Sequence, residues 1–408
     1  MGKASLLMVL GFLVILGSIR YRLGRWEVRS AELLSAEYRR TMARNIANSA
    51  VYIALRKLRE DFTWRPDPNP SDPLPLMGGT YTIQVDSVDL TEVRVTAVGN
   101  FWDISREVVV DLRKQSFSRY AYFTKYERMK SGWPIWFVTG DTIRGPLHTN
   151  DRMYIYGNPV FLGPVSSPYN PYTYGSPQFL GGTYFGHPEI ELPTDLSPLR
   201  YHASQGGWVV DTDSTGTDFW LNFQADGTIK YAFSNSTPHS WDTFTPPPSF
   251  NGIISVVGSH DLHVQGTVNG RFTVSAEHNI YIEDDVVYAV DPREDPTSDD
   301  ILGLVAGENV LVADNPANND NCEIHASIMA LNESFQAENY YSRPPSGVLT
   351  VLGGIIQVRR GPVGTFYWGG ILSGFRKNYI YDGRLLVQSP PYFPVYDENQ
   401  VVSWLERK

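Results

Sequence analysis

An uncharged run of sixteen residues, Ala4 to Ile19, lies near the start of the chain between Lys3 and Arg20. A helical pattern continues from this run to about Phe62, and a proline cluster beginning at Pro66 ends it. At ~1.5 Å per residue the run spans roughly 24 Å and the whole helix about 85 Å. The run is slightly shorter than the about 20 apolar residues of a free transmembrane helix. The sequence therefore predicts a retained membrane-anchor helix. A signal peptide with an unusual C-terminal end and a buried core helix are the alternatives.

Beyond Arg20 the helical pattern becomes amphipathic, so one of its faces must be covered. The apolar run would be covered by lipid or by neighbouring helices of like subunits. The residues predicted to contact other subunits in this way are Leu6, Leu7, Leu10, Phe12, Leu13, Ile15, Leu16 and Trp26.

The composition predicts a β-rich body behind the helix. Of 408 residues 13% are aromatic, and 35 glycines and 28 prolines favour short strands joined by turns. Basic residues outnumber acidic ones in the helical segment up to Glu60, whereas the whole chain has a net charge of −10. The body is therefore acidic, which argues against nucleic-acid binding. The single cysteine, Cys322, excludes an internal disulfide and a cysteine-based metal site.

Three runs with strand character follow the proline-rich segment, at residues 80–85, 91–98 and 101–112. Short turns at Asp86–Ser87 and Gly99–Asn100 separate them, which predicts an antiparallel meander. Alternating apolar residues give the meander one apolar face, and a single long helix lying on that face would bury both surfaces. The predicted fold class is therefore α+β in this part of the chain.

An internal repeat predicts a different architecture further on. Residues 273–285 align with residues 303–315 at an offset of 30, and Ile280 falls opposite Val310. A period of this length with alternating Val and Ile indicates a right-handed parallel β-helix, in which each turn buries its apolar row against the next. A jelly roll or a distorted sandwich is the alternative.

The segment between about 164 and 250 is too long for an ordinary connection, and we expect a lateral insertion there. It holds a predicted hairpin around Asp226–Gly227. Its aromatic residues either pack against the flank of the β-helix or contact a partner subunit or a glycan. The residues predicted for this contact are Tyr169, Tyr172, Tyr174, Phe179 and Tyr184.

These patterns divide the chain into five parts. They are an anchor and stalk helix at 1–62, a proline-rich linker at 63–78, an antiparallel sheet at 79–115, a β-helix domain at 116–396 and a C-terminal tail at 397–408.

The string ARNIANSAVYIALRKL at residues 43–58 resembles the N-terminal helix of minor type IV pilins of the PilX kind. Further strings, among them GDTIRGPLHTND at residues 140–151 and KNYIYDGRLLVQSPPYFP at residues 377–394, resemble uncharacterised pilin-like bacterial surface proteins. The resemblance implies an anchor helix that carries a large extracytoplasmic β domain without enzymatic activity. The sequence departs from the pilin processing motif, because Lys3 follows Gly2 and Leu7 stands where pilins have a glutamate.

Membrane topology is the point on which charge and resemblance disagree. Four arginines between Arg20 and Arg29 outnumber Lys3 across the apolar run, and this bias alone would place the body in the cytoplasm. The resemblance favours the opposite side. The expected location is therefore the inner membrane first and an extracellular, cell-surface filament afterwards.

Candidate chemistry is sparse. His260 and His263 would lie on opposite faces of a strand, and His148 is expected to be a hydrogen-bonding turn residue. Acidic clusters near residues 283, 295 and 314 contain oxygen ligands suited to Ca²⁺, but none has EF-hand spacing. Arg359–Arg360 could serve a polysaccharide-active β-helix enzyme or a salt-bridged surface. We expect no catalytic site, no cofactor and no metal, with calcium as the alternative.

The sequence thus predicts a non-enzymatic pilin-like subunit of a surface filament or of secretion or pilus machinery. Its expected partners are like subunits or other pilins and the inner membrane before assembly, but no nucleic acid. A membrane-anchored adhesin that binds surface glycans is the alternative, and a polysaccharide-active enzyme comes third.

Overall fold

The computed structural model describes residues 2–88, 91–367 and 370–407. The chain forms two compact units. The first unit runs up to Gln115 and takes in the residues from Asp397 onward, and the second spans Ser116–Tyr396. We call them the helix–sheet unit and the ladder unit. The ladder unit is thus inserted in the chain between two pieces of the helix–sheet unit.

Helix α1 (Lys3–Glu60) is the first layer of the helix–sheet unit. No proline interrupts its 58 residues, and the strong helix formers alanine, leucine and arginine recur throughout. The helix ends where the Asp61 N–H donates to the Lys57 carbonyl at 2.8 Å and prolines follow. A fully buried face lies in its second half and consists of Ala43, Ile46, Ala47, Ala50, Val51, Ala54 and Leu58.

A five-stranded sheet is the second layer. In spatial order its strands are Leu74–Leu76, Gly79–Ser87, Glu92–Phe101, Ile104–Ser116 and Val395–Arg407. The pairs among the first four strands are antiparallel. Because side chains alternate along a strand, one face of the sheet buries Val85, Val95 and Ala97 in a common core with α1. The predicted long helix with an antiparallel sheet is confirmed.

Three details of this unit correct the sequence analysis. The turn predicted at Gly99–Asn100 lies inside the third strand. This strand has a glycine at residue 99 because α1 approaches the backbone there so closely that no side chain fits. The proline-rich linker at 63–78 contributes the edge strand Leu74–Leu76. Residues 397–407, predicted as a tail, belong to the fifth strand and lie beside the fourth.

The ladder unit is built on a parallel sheet of ten strands, which we call the main ladder. Every neighbouring pair in it is parallel. The register pairs Val274 with Leu304 and Ile328 with Ile355. In spatial order the strands are Trp208–Asp211, Ile253–Val257, Arg271–Ala276, Ile301–Ala306, Cys322–Ala330, Pro345–Arg359, Tyr122–Tyr126, Leu147–Thr149, Val165–Ser167 and Thr183–Phe185.

A second parallel sheet, the side ladder, shares its core with the main ladder. Its strands pair in parallel in the order Phe219–Phe223, Leu262–Val268, Ile280–Tyr288, Val310–Val312 and Phe335–Ala337. Ile280 pairs with Val310, so the stacking predicted from the offset of 30 is confirmed. The repeated asparagine joins the two turns, since Asn309 donates two hydrogen bonds of 3.1 Å to the Asn279 Oδ1.

Hairpins extend both ladders. Strand Phe219–Phe223 pairs antiparallel with Ile229–Phe233, which confirms the predicted hairpin around Gly227, and Asp242–Phe244 adds a third strand. Strand Gly364–Tyr367 pairs antiparallel with Gly370–Ile380, which lies parallel to Pro345–Arg359. Short 3-10 helices also occur in the unit, at Phe117–Arg119, Ala317–Asn319 and Gly383–Leu386.

Residues 137–185 form stacked turns with a period of 18. One set of parallel strands is Phe137–Val138, Tyr154–Tyr156 and Tyr172–Tyr174, and the other is Thr142–Ile143, Val160–Phe161 and Gln178–Phe179. The strings YGNPVFLGP at 156–164 and YGSPQFLGG at 174–182 carry this period, a signal that the sequence analysis missed. Glycine recurs at 163 and 181 because a Cβ on Gly181 would lie 2.1 Å from the Gly163 carbonyl carbon of the previous turn.

The order of strands in the main ladder differs from their order in the chain. The chain enters the middle of the ladder at Tyr122–Tyr126, builds one half, returns to the far end at Trp208–Asp211 and builds the other half. This order brings the start and end of the ladder unit together, where the Phe117 N–H donates to the Pro394 carbonyl at 3.0 Å. A ten-stranded ladder in simple chain order would separate its ends by about 43 Å at ~4.8 Å per strand.

Residues 186–207, which we call the strap, connect the two halves along the outside of the main ladder. The strap contains helix α2 (Ser197–Ser204). The Asn150 side chain holds its start, because it accepts from the Ile190 N–H at 2.9 Å and donates to the Ile190 carbonyl at 2.7 Å. Side chains of the strap then pack against outward residues of the ladder in one cluster that includes Ile190, Leu196, Leu199, Phe123, Ile253, Val305, Met329 and Ile356.

The lateral insertion predicted at 164–250 is therefore wrong. Residues 165–185 continue the parallel ladders, 186–207 form the strap, and the strands from Trp208 onward begin the second half. The prediction failed because the strand spacing differs between the two halves. Val165 pairs with Thr183 in the first half, whereas Val274 pairs with the more distant Leu304 in the second, so no single offset covers the segment.

Candidate functional site

The first candidate surface is the N-terminal half of α1. The predicted assembly residues Leu6, Leu7, Leu10, Phe12, Leu13, Ile15, Leu16 and Trp26 are all at least 50% exposed. In the described part of the chain, α1 is the one helix long and apolar enough to cross a membrane. Surface of this kind is unstable in water, because each exposed leucine or phenylalanine forgoes about 1.5–3 kcal/mol of burial free energy. Lipid or other apolar helices around the first half of the helix would remove this cost.

Contacts with the sheet begin near the middle of α1. Tyr38 meets Phe101 edge to face with ring centroids 5.9 Å apart, and Arg39 pairs with Asp103 at 2.5 Å. At Gly99 the strand backbone lies directly against the helix backbone. The half that carries the assembly residues is thus held at the end of a rigidly packed half.

The second candidate surface, which we call the aromatic face, lies on the outside of the stacked turns at 137–185. Trp136, Tyr154 and Tyr172, one residue per turn, form a cluster of three mutually contacting rings, with centroids 5.5 Å apart for Trp136–Tyr154, 6.1 Å for Tyr154–Tyr172 and 5.9 Å for Trp136–Tyr172. Tyr156 and Tyr174 pair in the register beside this cluster, and the Tyr172 and Tyr174 rings are 5.5 Å apart. Tyr156 and Tyr174 are 63% and 60% exposed.

The structure separates the five residues predicted for partner or glycan contact. Tyr172 and Tyr174 lie together on the aromatic face, and Tyr169 is exposed in the turn before it. Phe179 instead is half-buried and stacks on the core residue Phe161 at 4.9 Å, and Tyr184 is exposed on the last strand of the main ladder. The sequence analysis missed Trp136, Tyr154 and Tyr156, which the period of 18 would have placed beside Tyr172 and Tyr174.

The aromatic face lies in an uncharged part of the chain. No Asp, Glu, Lys or Arg occurs in the sequence between Arg152 and Glu189. The nearest cation is Arg128, which donates to the Tyr154 hydroxyl at 2.9 Å and pairs with Asp151 at 3.1 Å. Because the charge of Arg128 is paired with Asp151, these aromatic rings suit stacking on apolar faces of neutral ligands better than binding ions.

The remaining histidine and arginine candidates make contacts within the fold. His260 and His263 both approach the Asp218 carboxylate, at 3.8 and 3.6 Å from their ring nitrogens. The predicted arrangement on opposite faces of a strand is wrong, because His260 precedes the strand that begins at Leu262. In the described ranges no group of three or more His, Cys, Asp or Glu side chains is arranged to hold a metal ion. Arg360 is buried and pairs with Glu127 at 3.2 Å, whereas Arg359 lies over the Tyr126 ring.

His148 lies in a strand of the main ladder and not in a turn. Its ring nitrogens are 2.8 Å from the Ser166 hydroxyl and 2.8 Å from the Asn150 side-chain oxygen. Burial lowers the pKa of His148 to about 4, so the imidazole is neutral at neutral pH. The residue therefore serves packing and hydrogen bonding at the start of the strap.

Comparison with known proteins adds two similarities. Residues 80–168, less than half of the chain, match a family described as a domain of unknown function, DUF4900. The fold is similar to the competence-associated pilin ComZ from Thermus thermophilus, with 11% sequence identity, a TM-score of 0.43, and coverage of 90% of this chain and 97% of that chain. Among curated protein sequences, none matches this chain.

Proposed function

We propose that the chain is a non-enzymatic, pilin-like subunit of a bacterial surface filament or of secretion or pilus machinery, and that its ladder unit is a parallel β-helix. The division of α1 is the observation that supports this proposal. Its second half is packed on an antiparallel sheet, while its first half exposes large apolar side chains over about 24 Å at ~1.5 Å per residue. Such a helix can reside in the inner membrane before assembly and pack among like helices afterwards.

The structure of the ladder unit is suited to display on the surface of a filament. Its ten parallel strands share one continuous hydrophobic core, and its start and end lie together. A rigid body attached through two adjacent chain segments can be carried on the outside of a filament without disturbing the helix packing inside it. In this proposal the helix–sheet unit is the part that resembles PilX-type minor pilins, and the ladder unit is the domain that the filament displays.

The test compares Leu13→Glu with Leu13→Ile in a bacterium that produces the protein. Leu13 is 61% exposed, so neither change alters packing within the chain. A buried charge among packed helices is strongly unfavourable, and we expect Leu13→Glu to be lost from sheared surface filaments while Leu13→Ile is retained. Immunogold electron microscopy measures the incorporation. Equal incorporation of both variants would refute assembly through this surface.

A second candidate function, adhesion, rests on the aromatic face. Five neighbouring aromatic rings on a surface with little charge are suited to stacking on the faces of neutral sugars. We expect Tyr156→Ser with Tyr174→Ser to abolish binding of the full chain to a neutral-glycan array at unchanged melting temperature. Tyr341→Ser is the matched control, because Tyr341 is 78% exposed elsewhere in the unit. Release of reducing ends from any arrayed glycan would instead indicate an enzyme.

A further inference from the structure

A cavity of about 70 Å³ lies where the two halves of the main ladder meet. At this point strand Pro345–Arg359 pairs with Tyr122–Tyr126, so that Ile355 faces Tyr122 in the register. The residues with polar side chains that line the cavity are Tyr122, Asp141, Thr142, Gln357, Arg360, Lys377 and Tyr379. Neither the assembly helix nor the aromatic face includes any of these residues.

Arg360 presents an unused hydrogen-bonding edge to the cavity. Its Nη1 donates to Glu127 at 3.2 Å and to the Ile135 carbonyl at 3.3 Å. The guanidinium lies over the Phe137 ring at 4.1 Å, which fixes its plane. Its Nε and Nη2 have no hydrogen-bond partner among residues 2–88, 91–367 and 370–407. A guanidinium edge with two parallel N–H groups is the geometry that binds a carboxylate in bidentate fashion.

Other donors surround this edge. The Tyr122 hydroxyl belongs to a residue that is 5% exposed, lies near the Gln357 side chain, and has no hydrogen-bond partner within the described part of the chain. Burial raises the pKa of Tyr122 well above its usual value, so the hydroxyl keeps its proton. Gln357 uses its Oε1 to accept from the Phe335 and Gly361 N–H groups, which leaves its amide N–H₂ as a donor.

The hydrogen-bond donors on the cavity wall favour an anion. Lys377 is an exposed residue at the edge of the cavity, and desolvation together with the neighbouring Arg360 lowers its pKa to about 8, so that it is still mostly protonated at pH 7 and adds a second cation. Asp141 is the one carboxylate among the lining residues, and its Oδ2 already accepts from the Val138 N–H at 2.9 Å. The lining carries two cations against one carboxylate, and Glu127, which is not among the lining residues, compensates the charge of Arg360 at 3.2 Å. Hydrogen-bond donors on the wall outnumber the free carboxylate acceptors, which favours a ligand that only accepts hydrogen bonds.

We propose that this cavity binds a small carboxylate anion, held by the free edge of Arg360 together with Tyr122, Gln357 and Lys377. The volume suits this class, since a cavity needs about 10–15 Å³ measured in this way to hold one water molecule, and this cavity thus has room for about five water-sized groups, enough for an anion of about four heavy atoms. Because the site joins two strands that are distant in the sequence and belong to opposite halves of the ladder, an occupied site also ties these halves together.

The test uses the full-length protein in detergent, titrated with sodium acetate by isothermal calorimetry at constant ionic strength. We expect saturable binding to one site, weakened at least tenfold in Lys377→Met and in Tyr122→Phe. Both variants should stay folded, because Lys377 is exposed and the Tyr122 hydroxyl has no partner to lose in the described ranges. Lys230→Met, which removes an exposed lysine elsewhere in the ladder unit, should bind acetate like the wild type.

Two further titrations define the ligand class. Sodium chloride should bind at least tenfold more weakly than acetate, because a spherical ion cannot use both N–H groups of the arginine edge in parallel. Sodium glucuronate tests whether the site also takes a carboxylate that is carried by a sugar. Binding of acetate or of glucuronate that is weakened in Lys377→Met supports the proposal. No saturable acetate heat, chloride binding as tight as acetate, or unchanged acetate affinity in both variants would overturn it.

Discussion

Gly99→Ala tests whether the close approach of helix and sheet holds the helix–sheet unit together. A Cβ added at Gly99 would lie 2.4 Å from the Ala43 carbonyl oxygen, 2.4 Å from the Ala47 nitrogen and 3.0 Å from the Ala47 Cα. All three atoms belong to the backbone of α1, so no side-chain rotation can relieve the overlap. The helix must move away from the strand by about 1 Å to restore ordinary contact near ~3.4 Å.

The cost of this shift follows from the packing around it. Overpacking a well-packed core costs about 1–3 kcal/mol, and the upper end applies when only backbone can move. Ile46 and Ala50 are fully buried on the same helix face and would lose contact as the helix moves. We therefore expect Gly99→Ala to lower the free energy of unfolding of the helix–sheet unit by about 3 kcal/mol.

Hydrogen exchange of residues 40–60 in the full chain measures this loss, because exchange there reports opening of the helix from the sheet. Gly24→Ala is the matched control, since a Cβ at Gly24 would meet nothing within 4 Å. It should leave exchange in residues 40–60 unchanged and favour the helix locally by about 0.5–1 kcal/mol. If Gly99→Ala changed the opening free energy by less than about 0.5 kcal/mol, the proposed role of the close approach would be refuted.

Three other predictions concern the ladder unit. Burial lowers the pKa of His148 from 6.5 to about 4, so the unfolded state takes up the proton first as the pH falls. The free energy of unfolding should therefore be unaffected above about pH 6.5 and should fall by up to about 3 kcal/mol towards pH 4. Thermal unfolding across this pH range should show the loss, and His148→Gln should remove it. Ile280→Ala, at a fully buried position, should cost about 2–5 kcal/mol in denaturant unfolding, and a cost near zero would contradict the stacked core. Tyr174→Ser should leave the melting temperature unchanged whereas Phe179→Ser lowers it, because only Phe179 stacks on Phe161; equal shifts would show that the two aromatic residues share one role.

Features with local periodicity could be predicted from the sequence. The apolar run and the amphipathic pattern behind it located the end of helix α1 close to Glu60. Alternation of apolar residues indicated the antiparallel strands, and the offset of 30 indicated the pairing of Ile280 with Val310. Each of these signals is a repeat within the chain, produced by side chains that must point to the same face.

The aromatic face could be predicted only in part. Tyr172 and Tyr174 were identified from local aromatic density, but the period of 18 that places Trp136, Tyr154 and Tyr156 beside them went unrecognised. The predicted assembly residues of α1 are exposed, as a membrane or filament helix requires.

Local patterns in the chain were therefore sufficient to specify the anchor helix, the antiparallel sheet and the repeat that pairs Ile280 with Val310. The fifth strand of the sheet, the return of the chain through the strap and the cavity at Arg360 emerge only when the whole chain has folded. The pairings behind these features join segments that are far apart in the sequence, such as Tyr122–Tyr126 and Pro345–Arg359. Distant segments that pair only once leave no period in the sequence, because backbone hydrogen bonds are the same for every residue type and only packing selects the partner.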